Sequence, residues 1–153
     1  MEPWSTIHID LIGPYDVKAK RNLPDNKVEA MDVKLVAMTM IDPTTGWFEI
    51  AEVPYEDLGS ARLSLIFNKT WLARYPRPTK IVYDNATNLK KHFKDLILAY
   101  GIKPALITAK NPQANAMVER VHQVVKNMLR VKDLTNHIFD YLDPWGEILS
   151  SVA

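Results

Sequence analysis

The hydrophobic period of this chain switches repeatedly between two and about 3.6 residues, and the order of those switches restricts the fold more than any other feature. Ile7, Ile9 and Leu11 alternate with other types and the run meets Gly13-Pro14, which predicts a strand that stops there with Asp10 near its end. Leu35 to Ile41 and Trp47 to Val53 are apolar and branched, and Asp42-Pro43-Thr44-Thr45-Gly46 between them is turn chemistry. A β-hairpin is expected there, with Asp42 a turn residue rather than a ligand. Ala61, Leu65, Ile66 and Leu72 follow helical spacing until Tyr75-Pro76-Arg77-Pro78 forbids continuation. Thr79 to Tyr83 then reads as a short buried strand delivering Asp84.

Phe93, Leu96, Ile97 and Tyr100 lie on one helical face, with Gly101 where a helix-ending glycine belongs, and Ile102 to Ile107 can supply another strand. Asn111-Pro112 opens a helix that persists to about Arg130. A second, shorter helical stretch is broken at Asp143-Pro144-Trp145-Gly146, and the chain stops at Ala153 in what reads as the opening of another helix. The polar stretch from Lys18 to Asp32, with Pro24-Asp25-Asn26 inside it, reads as a loop or loose hairpin. Three strands, helix, strand, helix, strand, helix is the order of an α/β fold with a mixed sheet flanked by helices.

With 153 residues and 47% hydrophobic content, the chain has the size and apolar material of one compact domain. No apolar run reaches the roughly 18 residues of a membrane span, and residues 1–4 lack the basic-then-apolar pattern of a secretory signal. A soluble intracellular protein without membrane partners is expected. The absence of cysteine excludes disulfides, thiol catalysis and cysteine-rich zinc sites, and His8, His92, His122 and His137 are too scattered for a zinc finger. Any metal should therefore be held by oxygen. The net charge of +1 hides an asymmetry: acidic residues dominate up to residue 57, Lys and Arg dominate from 58 to 132, and only acidic residues carry charge after that. The basic stretch surrounds Asp84 and Glu119, where phosphate contacts would be made.

On a helical wheel, Met117, Val121, Val124, Val125 and Met128 form one apolar stripe. Asn115, Glu119, Gln123, Lys126 and Arg130 stand opposite. Glu119 thus heads a polar face carrying amides and cations, as a DNA-facing helix should. Cutting a phosphodiester near neutral pH requires an activated oxygen nucleophile and stabilisation of charge on the phosphorus and leaving oxygens, which two magnesium ions clamped by a few carboxylates can supply. Three acidic residues from three distant elements suit that chemistry.

The local contexts of those acids resemble a known family. Val82-Tyr83-Asp84-Asn85-Ala86-Thr87-Asn88, followed by Lys90-Lys91-His92-Phe93, and Asn111-Pro112-Gln113-Ala114-Asn115-Ala116-Met117-Val118-Glu119-Arg120 resemble the second and third blocks of the retroviral integrase catalytic core. Asp84 and Glu119 are 35 positions apart in the chain, close to the spacing of the family's D,D-35-E pattern. Ile9-Asp10-Leu11-Ile12-Gly13-Pro14 resembles the first block, most closely that of gypsy-type LTR retrotransposons, as does Asp42 to Trp47.

The resemblance implies a ribonuclease H-like fold with a mixed five-stranded sheet, and a catalytic core domain over residues 1–153 truncated at its carboxy-terminal end. It implies DNA integration by a metal-dependent polynucleotidyl transferase with endonuclease activity. Such an enzyme trims element DNA ends and joins them to host DNA in the nucleus, working as a homodimer or larger assembly on double-stranded DNA. Asp10, Asp84 and Glu119 would be catalytic and hold two Mg²⁺ ions, with Mn²⁺ as a substitute: Asp10 and Asp84 on one, Asp10 and Glu119 on the other. Lys110, Asn115, Gln123 and Lys126 match positions that contact DNA ends, and Thr87 a position near target DNA. Ala86, Ala114 and Ala116 stand where the family commonly has glycine, which narrows the backbone freedom around these blocks. The alternative is a decayed or domesticated core that binds DNA or a partner subunit without catalysis.

Overall fold

A computed structural model describes residues 2–83, 91–106, 112–134, 138–140 and 145. Strands β1 (Thr6–Asn22), β2 (Val28–Ile41) and β3 (Phe48–Val53) form an antiparallel meander. Helix α1 (Ser60–Phe67) runs into a π-helical turn at Asn68–Leu72, and β4 (Lys80–Tyr83), α2 (Lys91–Ala99), β5 (Lys103–Leu106), α3 (Pro112–Leu134) and a two-residue β6 (Phe139–Asp140) complete the order. The sheet runs β3-β2-β1-β4-β5, with β4 parallel to β1, β5 parallel to β4, and β6 added to the far end of β1. The expected mixed five-stranded sheet with flanking helices is present, extended by that short sixth strand.

β1 does not stop at Gly13-Pro14. Its register with β2 shifts between Ile12 and Tyr15, so that Gly13 and Pro14 together oppose Val36, the two-against-one arrangement of a β-bulge. Gly13 has φ +98°, and a Cβ there would lie 2.4 Å from the carbonyl oxygen of Leu35. The position therefore belongs to glycine. The Gly13-Pro14 peptide is cis.

The bulge exchanges which side chains face which way. Before it, Ile7 and Ile9 join Val36, Met38, Met40, Ile81 and Tyr83 in a core completed by Leu63, Phe67, Trp71 and Ile97 of the helical layer. Beyond it, Val17 and Ala19 continue the opposite face that Ile12 began, packing with Leu35, Ala37, Val125, Phe139 and Trp145. One sheet thus carries a core on each side, α1 and α2 over the first and α3 over the second. Each fully buried aliphatic or Phe side chain stabilises the fold by roughly 1.5–3 kcal/mol.

The Lys18–Asp32 stretch, expected as a loop or loose hairpin, forms regular arms of the β1–β2 pair, with partners running from Lys18↔Asp32 to Asn22↔Val28. Periodicity was missing because ion pairs occupy the outer face: Asp16 with Lys34 at 2.7 Å and Lys18 with Asp32 at 2.6 Å. Phe139–Asp140 is strand where a short helix was expected; Phe139, 3% exposed, is held by the core under α3.

The ends of two elements follow their residues closely. At Asp42 the carboxylate accepts the Trp4 and Thr44 amides at 2.9 and 3.0 Å and the Thr45 hydroxyl at 2.8 Å, while Gly46 N–H donates to Asp42 O at 2.9 Å. This fully buried acid closes the turn it was expected to close. At the end of α2, Gly101 takes φ +73°, and its N–H and that of Ile102 reach back to Leu98 and Ile97 carbonyls, a Schellman stop.

Candidate active site

The last described register pair of β1 and β4 is Ile9↔Tyr83, and Asp10 is the next residue of β1. On its other side Asp10 pairs with Thr39 of β2, whose hydroxyl donates to the Asp10 carbonyl at 3.3 Å. The half-buried Asp10 side chain accepts the Leu11 amide on Oδ1 at 2.8 Å. Alternation fixes its direction: Ile9 enters the core under α1 and α2, and Ile12 the core under α3, so Asp10 projects to the α3 side. Thr39 is 1% exposed, which anchors the backbone carrying the carboxylate.

Glu119 lies in the first third of α3 and is exposed, as are Gln123, Lys126 and Arg130. The polar face read from the wheel is thus a solvent face. Gln123 Nε2 donates to Asn127 Oδ1 at 3.4 Å along the same helix. The apolar stripe needs correction. Val121 and Val125 are buried, but Val124 is 38% exposed, and Leu129, absent from the expected stripe, packs against the α3 core instead. The buried face is centred nearer Val125 than Met117, because Ile12 and Ala37 of the sheet pack with Val125 there.

Asn115 belongs to the opening of α3. Asp84, Thr87 and Lys110 lie outside the described residues. Among the described residues, no three His, Asp or Glu side chains come together as a metal-holding group. What the fold brings to one side of the sheet is Asp10 and the helix bearing Glu119. His8, which the sequence pattern did not single out, shares that side and pairs with Ile41 on β2. Its imidazole is held below the ordinary value by burial and by the charge of Lys80.

A cleft of about 390 Å³ opens elsewhere, between the distal hairpin arms and the second half of α3, lined by Val17, Leu129, Arg130 and Phe139 and by the paired Asp16, Lys18 and Asp32. It contains none of the candidate carboxylates, and its acids are already neutralised by lysines. The candidate carboxylate Asp10 lies instead at the sheet face beside α3, the helix bearing Glu119.

Comparison with solved structures bears on the architecture that holds these groups. The catalytic core domain of BIV integrase matches 85% of this chain and 72% of its own, with TM-score 0.57 at 18% identity. The HTLV-2 integrase catalytic core domain in complex with magnesium matches 87% of this chain and 74% of its own, with TM-score 0.58 at 18% identity in a dimeric form and 0.55 at 16% in a trimeric form. This chain has the fold of a retroviral integrase catalytic core. No family model and no curated protein matches it. The integrase-core fold accounts for the strand order, for the parallel β1–β4–β5 set and for the long helix laid across the sheet. Among the described residues, no helix is long and apolar enough to cross a membrane.

Proposed function

We propose that the chain is the catalytic core of a DDE-type integrase from an LTR retrotransposon. It acts in the nucleus as a homodimer or larger assembly, trimming element DNA ends and joining them to host DNA. The observation that carries this reading is the pairing of Ile9 with Tyr83 on adjacent parallel strands, since the residues that follow them in the chain are Asp10 and Asp84. Glu119, exposed on the helix over the same sheet face, is the third carboxylate. The HTLV-2 cores, solved with magnesium in dimeric and trimeric forms, support the ion and the assembly.

The donor set suits a hard cation: three carboxylates, no cysteine anywhere in the chain, and a partly exposed Asp10. Asp10 with Asp84, and Asp10 with Glu119, would hold two Mg²⁺ ions. When bound, these ions supply an activated oxygen nucleophile and stabilise the leaving oxygen. The protein's own part is placement. Thr39 and the β2 pairing hold the backbone of Asp10, while α3 presents Glu119 rigidly beside Gln123 and Lys126. Asn115, Gln123, Lys126 and Lys110 are assigned to the element end, and Thr87 to target DNA.

The test is cleavage and strand joining of a labelled DNA end in Mg²⁺ or Mn²⁺. Glu119→Gln should abolish both with an unchanged melting temperature, because the side chain is exposed to solvent. Full activity in that variant would remove Glu119 from the site. A chain that binds DNA but neither binds metal nor cleaves would be a non-catalytic core.

A further inference from the structure

The basic stretch after residue 57 divides once its partners are known. Arg62 and Arg74 are held by Asp57 at 2.9 Å and Glu49 at 3.6 Å. Arg77, Lys80 and Lys103 are exposed and form no ion pair among the described residues. Lys80 and Lys103 are register partners on β4 and β5. Paired residues on neighbouring strands project to one face, so two ammonium groups stand side by side, an arrangement that works against the sheet unless an anion joins it.

Their face is the one that carries Asp10. Ile81 and Tyr83 enter the core under α1 and α2, so Lys80 and its partner project oppositely, alongside Thr6 and His8 of β1. Thr6 is the register partner of Lys80, and it precedes Asp10 by a strand length of roughly 13 Å. Arg77 stands apart from this pair: its guanidinium lies 5.2 Å from the Tyr100 ring and donates to the Tyr100 carbonyl at 3.3 Å, and Tyr100 packs on the core of the other face. A DNA duplex carries one charge per roughly 1.7 Å of axis, so a segment engaged near Asp10 offers phosphates at this distance.

We propose that Lys80 and Lys103 form a second phosphate-binding strip, which grips duplex DNA on the sheet face below the carboxylates. The strip rests on the integrase reading for its orientation but needs neither metal nor chemistry to bind. Its cations lie at the strand ends away from the helix face of Gln123 and Lys126, so the two surfaces together would lengthen the DNA footprint along the sheet.

The experiment is fluorescence anisotropy of a labelled random-sequence duplex over a salt series, in EDTA so that no cleavage occurs. Each phosphate neutralised by a cation accounts for about 0.9 of the slope of log K against log salt, so Lys80→Gln/Lys103→Gln should make that slope shallower by about 1.8. Lys80→Arg/Lys103→Arg should keep the wild-type slope, and neither variant should denature earlier than the wild type. A wild-type slope in the Gln variant overturns the strip. So does displacement of the probe by polyglutamate as effectively as by unlabelled DNA of equal charge, which would assign the cations to an acidic protein. Cleavage is read separately in Mg²⁺. Cleavage by the wild type with an unchanged slope in the Gln variant removes the strip and leaves the enzyme; no cleavage by the wild type with the shallower slope in the Gln variant does the reverse.

Discussion

Gly13 and Leu35 approach so closely across the β1–β2 pair that a Cβ on the first would stand 2.4 Å from the carbonyl oxygen of the second. With φ at +98° as well, the position has no room for a side chain and no easy backbone alternative. Gly13→Ala should therefore lower stability by roughly 2–3 kcal/mol. The shift should appear as an earlier urea midpoint with little change in slope. Because the bulge reverses which residues face α3, the same variant should weaken the packing of Val17 and Ala19 on that side. A wild-type midpoint would show that the pair can part without cost.

Asp42 is the buried carboxylate most easily mistaken for a site residue. Its oxygens receive two backbone amides and one hydroxyl, and it ties Trp4 to the β2–β3 turn. Asp42→Ala strands those donors in a buried setting, and the expected loss is about 3 kcal/mol. Asp10→Asn should show the reverse pattern: little change in melting temperature and loss of Mn²⁺ binding in calorimetry. If Asp42→Ala instead abolished metal binding in a stable protein, the assignment of the two acids would be exchanged.

The α3 helix makes a sharper test of rotation. Val124 and Val125 are adjacent, yet one is 38% exposed and the other 0%. Val125→Ala should cost roughly 2 kcal/mol through the cavity left against Ile12 and Ala37, whereas Val124→Ala should stay within about 0.5 kcal/mol. Equal losses at both positions would restore the stripe centred on Met117. Glu119 would then turn away from its present direction.

What could be read from the residues alone was whatever one period or one stop signal decides. Ile7 and Ile9, the Asp42 turn, the prolines after Tyr75 and the glycine after Tyr100 each act locally, and the structure follows them. Gly13-Pro14 misled because the same dipeptide serves a strand end and a bulge, and only the partner strand distinguishes them. The arms beyond it were hidden because Asp16–Lys34 and Lys18–Asp32 substitute charge for apolar alternation on an exposed face. The helical wheel found the polar face of Glu119, but the helix's exact rotation depends on the shape of the sheet beneath it. Asp10 was legible as a strand residue, and its Thr39 support was not, since that hydrogen bond joins residues 29 positions apart.

His8 reports on the cation that stands beside it. Burial and the charge of Lys80 both hold its imidazole below the ordinary 6.5. Below that pH the unfolded chain takes up a proton before the folded chain does, so the stability tied to neutral His8 is present above pH 6.5 and is lost as pH falls. Lys80→Gln removes the second cause and leaves the first. The imidazole should then titrate closer to 6.5, though still below it, in an NMR titration of the folded protein, and the acid loss of stability should become shallower. His8→Gln should remove that part of the acid dependence altogether. An imidazole titration unmoved by Lys80→Gln would mean that Lys80 points away from His8, and would detach both from the sheet face beside Asp10.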